Sequence, residues 1–213
     1  ALVGRNGSGK STLMKVMAGL VEPDAGARVL PDGIRVGYLE QDPDFSEFAT
    51  LGDFATARIG ASEAWRVEAA AEGLDLDLAT RADRASGGER RRAALARLLA
   101  EAPDLMLLDE PTNHLDIAAI AWLEAELAQT RAAFITISHD RAFLRRLARG
   151  TLWLDRGEVR RMDRPFERFE DWRDEIWAQE DLARHKLDRK IREEARWAVE
   201  GISARRKRNQ GRV

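Results

Sequence analysis

The sequence predicts an α/β fold, a mostly parallel sheet flanked by helices with a small helical subdomain, followed by a long charged helical arm. Three observations carry that prediction. Apolar runs at 105–108 and 133–137 have the length and composition of parallel strands buried on both faces, and each is followed by a helical pattern. A glycine-rich stretch, Gly4 to Ser11, separates an apolar run from another helical pattern. From Phe166 to about Ile202 there is no proline, and Phe169, Trp172 and Ile176, then Leu187, Ile191, Ala195 and Val199, recur at three or four.

Taken in order, Ala1-Leu2-Val3 reads as the end of a buried strand running into the glycine-rich stretch. Leu13, Val16, Met17 and Leu20 then recur at helical spacing until Gly19, Pro23 and Gly26 break the pattern. Strand signals follow at 28–30 and 34–39, and residues 42–83, rich in alanine with weak helical periodicity, form the helical insert. A helix starts at Ser86, which stands in capping-box spacing to Glu89, carries Leu95, Leu98 and Leu99 on one face, and stops at Pro103. Residues 151–155 and 159–162, joined at Arg156-Gly157, read as a closing hairpin, and the final helix is expected to end near Gly201. The boundary between a first domain, 1–163, and the arm, 164–213, follows from these patterns and from charge.

The 35 Lys+Arg against 37 Asp+Glu leave a net charge of −2, which excludes a disordered polyelectrolyte and a generally basic nucleic-acid binder. No stretch has the length of apolar residues that a membrane span needs, and the N-terminal residues lack the order of a signal peptide, so a cytoplasmic setting without a membrane partner is expected. Zero cysteines exclude disulfides, thiol catalysis and Cys-based zinc sites. Charge is uneven along the chain: residues 182–213 hold 11 basic and 4 acidic side chains. Arg205, Arg206, Lys207, Arg208 and Arg212 form a basic tip suited to phosphate forks.

Gly4-Arg5-Asn6-Gly7-Ser8-Gly9-Lys10-Ser11 fits G-x-x-x-x-G-K-[ST], whose glycines let backbone amides wrap a β-phosphate at a helix N-terminus. Gly4, Asn6, Gly7, Ser8 and Gly9 supply the cradle. Lys10 would reach the β- and γ-oxygens, Ser11 would ligate Mg²⁺, and Thr12 would touch the α-phosphate of ATP. The run at 105–108 ends in Asp109-Glu110, where an Asp can hold Mg²⁺ and the adjacent Glu can polarise a water for in-line attack. The run at 133–137 ends in Ser138-His139-Asp140. Three strands thus bring phosphate loop, acid pair and histidine to one carboxyl edge, where open α/β sheets bind ligands. Ser86-Gly87-Gly88-Glu89 makes a good helix cap and also leaves amides free to bind a γ-phosphate. Gln41 follows a strand, where it could ligate Mg²⁺ or orient water.

In that order, the phosphate loop, Gln41, Ser86-Gly87-Gly88-Glu89, Asp109-Glu110-Pro111-Thr112 and His139 resemble a P-loop ATP-binding cassette domain, over nearly the whole chain. Asn113-His114-Leu115-Asp116, directly after that acidic motif, resembles the ABC-F group, soluble proteins with two cassettes joined by a charged helical linker, which act on ribosomes. The tail EEARWAVEGISARRKRNQGRV is most similar to the Uup-like branch. The resemblance implies that Glu110 is the catalytic glutamate and His139 the γ-phosphate sensor, with Gln41 beside them. It implies that Asn113 to Asp116 form the dimer-contacting loop, and that Ser86, Gly87, Gly88 and Glu89 act on the nucleotide of an opposite cassette. It also implies that the linker reaches the ribosome near tRNA, with rRNA or tRNA against the basic tip.

The pattern departs from the family at Ala85, where leucine is usual, and in having no second phosphate loop. The chain therefore reads as the first cassette of a pair, without its opening segment, plus the first linker helix; a homodimer is the other arrangement. Two further readings fit part of the sequence. A transporter ATPase subunit is opposed by Asn113-His114 and by the short span from Gln41 to Ser86, and an ATP-dependent DNA-binding protein shares the basic tip.

Overall fold

The computed structural model describes residues 1–40 and 43–210, with side chains described for 1–40 and 43–197. The chain divides into two units between Phe166 and Glu167. In the first, β1 (Leu2–Gly4) passes through the glycine-rich loop into α1 (Lys10–Ala18), followed by β2 (Val36–Tyr38) and the small helices α2 (Leu51–Thr56) and α3 (Trp65–Gly73). Then come α4 (Gly87–Glu101), β3 (Leu105–Asp109), α5 (Ile117–Gln129), β4 (Ala133–Ile137) and α6 (Arg141–Leu147). The hairpin β5 (Thr151–Asp155) and β6 (Glu158–Met162) completes the unit.

Two three-stranded sheets form, in the orders β2-β3-β4 and β1-β5-β6. β2 on β3, β3 on β4 and β1 on β5 are parallel, and β5 on β6 is antiparallel. The parallel β-α-β connections are why 105–108 and 133–137 read as continuous apolar runs: helices cover both faces. The predicted hairpin turn has Arg156 at φ 49° and Gly157 at φ 83°, the doubly left-handed geometry that matches strand twist in a two-residue loop.

The two sheets share no ladder. Leu2 of β1, Met14 of α1, Leu107 of β3, Ile137 of β4 and Leu154 of β5 form one buried cluster that joins them. A larger core lies between α2, α3, α4, α5 and α6 and includes Phe54, Leu95, Leu98, Leu123 and Phe143. Ala85 packs against that core as a partly buried residue.

Three sequence expectations change. Residues 28–30 form no strand: Val29 is exposed without a neighbouring strand, and Arg28 instead donates from Nε to the Met17 carbonyl at 2.7 Å, stapling the end of α1. On α1 it is Met14 that is fully buried, whereas Leu20 lies past the C-cap Gly19 and is exposed. The glycine is at φ 80°, which ends the helix before Leu20 can join its face.

The third concerns the arm, which forms the second unit. After one 3₁₀ turn at Phe166–Arg168, α7 (Phe169–Gln210) continues 42 residues, through Gly201 and the basic run instead of stopping before it. A lone glycine costs a helix only about 1 kcal/mol, and the charged residues that follow are good helix formers. Arg173 lies over the rings of Phe169 and Trp177 at 6.0 and 4.7 Å, and Arg189 pairs with Glu193 at 2.9 Å one turn on. Leu182, Leu187, Ile191 and Trp197 are exposed. Among the described residues no helix is long and apolar enough to cross a membrane.

α4 carries the best-defined helix start. The Ser86 hydroxyl accepts from the Glu89 amide at 3.3 Å, and the Glu89 carboxylate accepts from the Ser86 amide at 2.8 Å, closing the predicted capping box.

Two stability outcomes follow. Leu107→Ala should lower the unfolding free energy by about 2 to 5 kcal/mol, read from urea denaturation, because its side chain sits where the two sheets meet. A loss below about 1 kcal/mol would mean that this cluster does not join them. Hydrogen bonds from the Ser86 hydroxyl and amide hold the Glu89 carboxyl below its ordinary range. A lowered folded pKa means that this stabilisation is present above the ordinary glutamate value and is lost as pH falls through the folded one. The acid-side fall of the melting temperature should therefore be shallower in Glu89→Gln than in the parent, and identical slopes would contradict it.

Candidate nucleotide site

The glycine-rich loop is shaped by its backbone. Gly7 and Gly9 hold φ 76° and 94°, in the left-handed region that a residue with a Cβ avoids. Gly4 approaches β5 so closely that a Cβ there would lie 2.4 Å from the Leu154 carbonyl oxygen. Lys10 Nζ donates back to the carbonyls of Gly4 at 2.9 Å and Arg5 at 3.0 Å, and the Ser8 amide donates to the Arg5 carbonyl at 3.1 Å. The loop is thus cinched around its own ammonium. At its end, Gly9 is the N-cap of α1 and supplies no side-chain cap, so the first amides of α1 have no local side-chain acceptor. The Ser8 hydroxyl is buried without a hydrogen-bond partner among the described residues. Uncapped amides, an ammonium and an orphaned hydroxyl on one loop form an anion cradle. Ser11 and Thr12 follow in the first turn of α1, and Asn6 is exposed at the bend.

Adjacent parallel strands deliver the next group. Asp109, at the end of β3, is buried, and Glu110 follows it in a left-handed conformation with φ 51°. For a residue with a Cβ that conformation costs about 1 to 2 kcal/mol, so the surroundings must hold it. The Glu110 amide donates to the Ile137 carbonyl of β4 at 2.9 Å. Its carboxylate accepts from the His139 amide at 3.2 Å, and its other oxygen lies 3.4 Å from His139 Nε2. The structure therefore brings Glu110 and His139 into direct contact, with the imidazole largely exposed at the mouth. On the same two loops, the Thr112 and Ser138 hydroxyls are 3.4 Å apart.

The segment Asn113 to Asp116 is tied down locally. The Asn113 amide donates to the Glu110 carbonyl at 3.2 Å, His114 is left-handed at φ 65°, Leu115 packs on the core, and the Asp116 carboxylate caps α5 through the Ala119 amide at 2.8 Å. A Cβ on Gly88 would lie 3.5 Å from the His114 Cβ, so this segment runs beside the start of α4 in the same chain. There the Ser86 hydroxyl donates to Glu89 at 2.7 Å. Gly87 and Gly88 begin the helix with open space around Gly87. Binding of an outside phosphate by Ser86 would exchange that internal carboxylate for the ligand.

Gln41 lies outside the described residues, as does Arg212, and Arg205, Arg206, Lys207 and Arg208 are placed only as backbone of α7. Two neighbours of the acid pair were not singled out in the sequence. Tyr38, at the end of β2, has a buried hydroxyl without a hydrogen-bond partner among the described residues. Burial, and after it the Asp109 carboxylate, pushes the phenol's pKa up. Arg91 of α4 donates from Nη2 to the carbonyl of Asp109 and, at 3.0 Å, to that of Glu110. A faint signal for it exists in the sequence, since Arg90-Arg91-Arg92 places cations near a helix N-terminus, against the dipole.

Among the described residues no cluster of three or more His, Cys, Asp or Glu could cage a metal ion. Ser11 at the start of α1 and the buried Asp109 at the end of β3 are instead the hydroxyl and carboxylate that suit Mg²⁺, which keeps water and phosphate oxygens as its other ligands.

Residues 1–113 match the family described as ABC transporter. The chain is 47% identical over 212 residues to the ATP-binding protein Uup of Caulobacter vibrioides, covering 99% of this chain and 34% of that protein. It is 33% identical over 253 residues to the energy-dependent translational throttle protein EttA of Mycobacterium tuberculosis, covering 100% of this chain and 45% of that protein. The chain thus spans between a third and a half of the length of these curated relatives. The ATP-binding subunit of an ABC transporter has the same fold, with a TM-score of 0.69 at 24% identity over 84% of this chain and 85% of that one. The chain belongs to the ABC transporter family of ATP-binding cassette ATPases, and within that family it is Uup-like.

Proposed function

We propose that this chain binds Mg²⁺-ATP and hydrolyses it as one ABC-F type cassette, at a site completed by a second cassette, and that its arm directs the cycle to the ribosome near tRNA. The observation that carries the first part is the loop between β1 and α1, with left-handed Gly7 and Gly9, a cinched Lys10 and an N-terminus without a side-chain cap. Those donors meet a triphosphate with backbone dipoles and one full positive charge. Bound magnesium would neutralise part of the triphosphate charge, with Ser11, Asp109 and Gln41 as its protein ligands. Glu110, braced by the His139 amide, would accept a proton from the attacking water. Ser86, Gly87, Gly88 and Glu89 would engage the nucleotide of the opposite cassette, and Asn113 to Asp116 would line the contact between the two. The second cassette comes from the same full-length polypeptide or from another copy.

The ribosomal part draws on two supports. One relative is named a translational throttle protein, and α7 carries Arg205, Arg206, Lys207 and Arg208 about 54 Å or more along its own axis from Phe169. A cytoplasmic location belongs to the same reading.

Lys10→Ala should abolish ATP binding, measured with a fluorescent nucleotide, because it removes the only full cation that the loop encloses. Glu110→Gln should keep binding and lose turnover. Turnover per chain should rise with protein concentration or on adding a second cassette; vigorous activity independent of concentration would contradict the composite site.

The arm makes a separate claim. Changing Arg205, Arg206 and Arg208 to Glu should weaken co-sedimentation with ribosomes and flatten its salt dependence by about 0.7 to 0.9 in log–log slope per lost phosphate contact. Nucleotide affinity should stay at the parent value. Preferential binding to duplex or branched DNA would transfer the arm to the DNA-binding alternative.

A further inference from the structure

We infer that Arg91 is a positioning residue for the Glu110 carboxylate, acting from the helix whose N-terminus carries the Ser86-Gly87-Gly88 signature. The inference rests on the ATPase reading above, with Glu110 as the base.

Glu110 stands in a left-handed conformation that a residue with a side chain leaves unless it is held, and three hydrogen-bonded anchors reach its backbone. The amide is fixed to β4 through the Ile137 carbonyl at 2.9 Å. The carbonyl takes the Asn113 amide from its own loop at 3.2 Å. Arg91 Nη2 adds a charge-assisted bond to that same carbonyl at 3.0 Å and a second one to the carbonyl of Asp109. Of the three, only Arg91 arrives from a separate helix.

Its placement makes little sense for α4 alone. A cation near the start of a helix opposes the helix dipole, and Arg91 Nε is buried without a hydrogen-bond partner among the described residues. Its Nη2 instead meets two carbonyl oxygens, which present negative ends to the guanidinium at the turn where Asp109 gives way to Glu110. Both bonds come from Nη2, whose two hydrogens lie in the fixed plane of the guanidinium; a lysine ammonium is a point charge on a flexible stem. The consequence is mechanical. Hydrogen bonds of this length weaken steeply when donor and acceptor shift, so the orientation of Glu110 depends on where α4 sits. The N-terminus of α4 is the part that an opposite cassette's nucleotide would engage. Arg91 therefore ties the base of one cassette to the helix that reads the other's nucleotide.

The test compares Arg91→Gln, Arg91→Lys and Glu110→Gln in the full chain. In the nucleotide-free protein, hydrogen–deuterium exchange over 109–116 should speed up about fivefold or more in Arg91→Gln, because that segment loses its anchor to α4. Turnover should fall about 10- to 100-fold while ATP affinity stays within about twofold. Arg91→Lys should recover part of both effects, and Arg91→Gln should cost nothing further in the Glu110→Gln background. Unchanged exchange over 109–116 overturns the inference whatever the activity. So does a loss of turnover that adds in full to that of Glu110→Gln, since Arg91 would then act elsewhere. If Arg91→Gln fails to fold, Arg91→Lys carries the test with a smaller rise in exchange. A different failure, Glu110→Gln turning over at the parent rate, would overturn the assignment of Glu110 as the base, on which the inference rests.

Discussion

The cluster of Leu2, Met14, Leu107, Ile137 and Leu154 is the constraint on which the rest depends. Two three-stranded sheets with no ladder between them meet at this apolar cluster, and each of its side chains sits on an element that leads into or out of a functional loop or pairs with one that does. β1 leads into the glycine loop, β3 into Asp109-Glu110, and β4 into Ser138-His139. Close packing of this kind is stiff because a shift of one side chain displaces its neighbours. The loop built around Lys10 and the carboxylate of Glu110 are consequently held by a common core, although they belong to different sheets.

Around that core the chemistry is arranged by backbone geometry more than by shifted acidities. Left-handed residues occur at Gly7 and Gly9 in the loop, at Glu110 and at His114, so three of the segments assigned to nucleotide or cassette contact bend through a conformation that costs energy unless held. The glycines avoid the cost by lacking a Cβ. Glu110 meets it with hydrogen bonds from β4, from its own loop and from Arg91. His139 then fixes the direction of the carboxylate through a backbone amide, which leaves the imidazole exposed and able to meet a ligand. Asp116 and Asp140, in contrast, spend their carboxylates on capping α5 and α6.

The arm obeys different physics. α7 has charged residues in both signs along most of its length and exposed Leu182, Leu187, Ile191 and Trp197 on its surface, so what holds it is intrinsic helix propensity, near-neighbour ion pairs such as Arg189 with Glu193 and the Arg173 contacts to Phe169 and Trp177. A single interior glycine costs such a helix only about 1 kcal/mol, and the basic run rides on past Gly201 as its continuation.

Signals that act over a few residues were complete in the sequence by itself. The glycine and lysine spacing of 4–11, the Ser86 and Glu89 capping box, the Arg156-Gly157 hairpin and the apolar runs ending at Asp109 and Ile137 each state a local backbone conformation or a burial pattern, and the structure forms all of them. Local signals erred where only packing decides. Residues 28–30 have strand-forming side chains but no neighbour to pair with, and Gly201 breaks a helix only weakly when nothing competes for the chain. What the tertiary structure alone decided is which distant groups meet. The division into two sheets, the contact of Glu110 with His139 and the reach of Arg91 from α4 to two carbonyls at the end of β3 join residues far apart in the chain. Periodicity records which face of an element is buried; it does not record what that face is buried against, and a hydrogen bond to a backbone carbonyl leaves no residue type at the accepting position to be read.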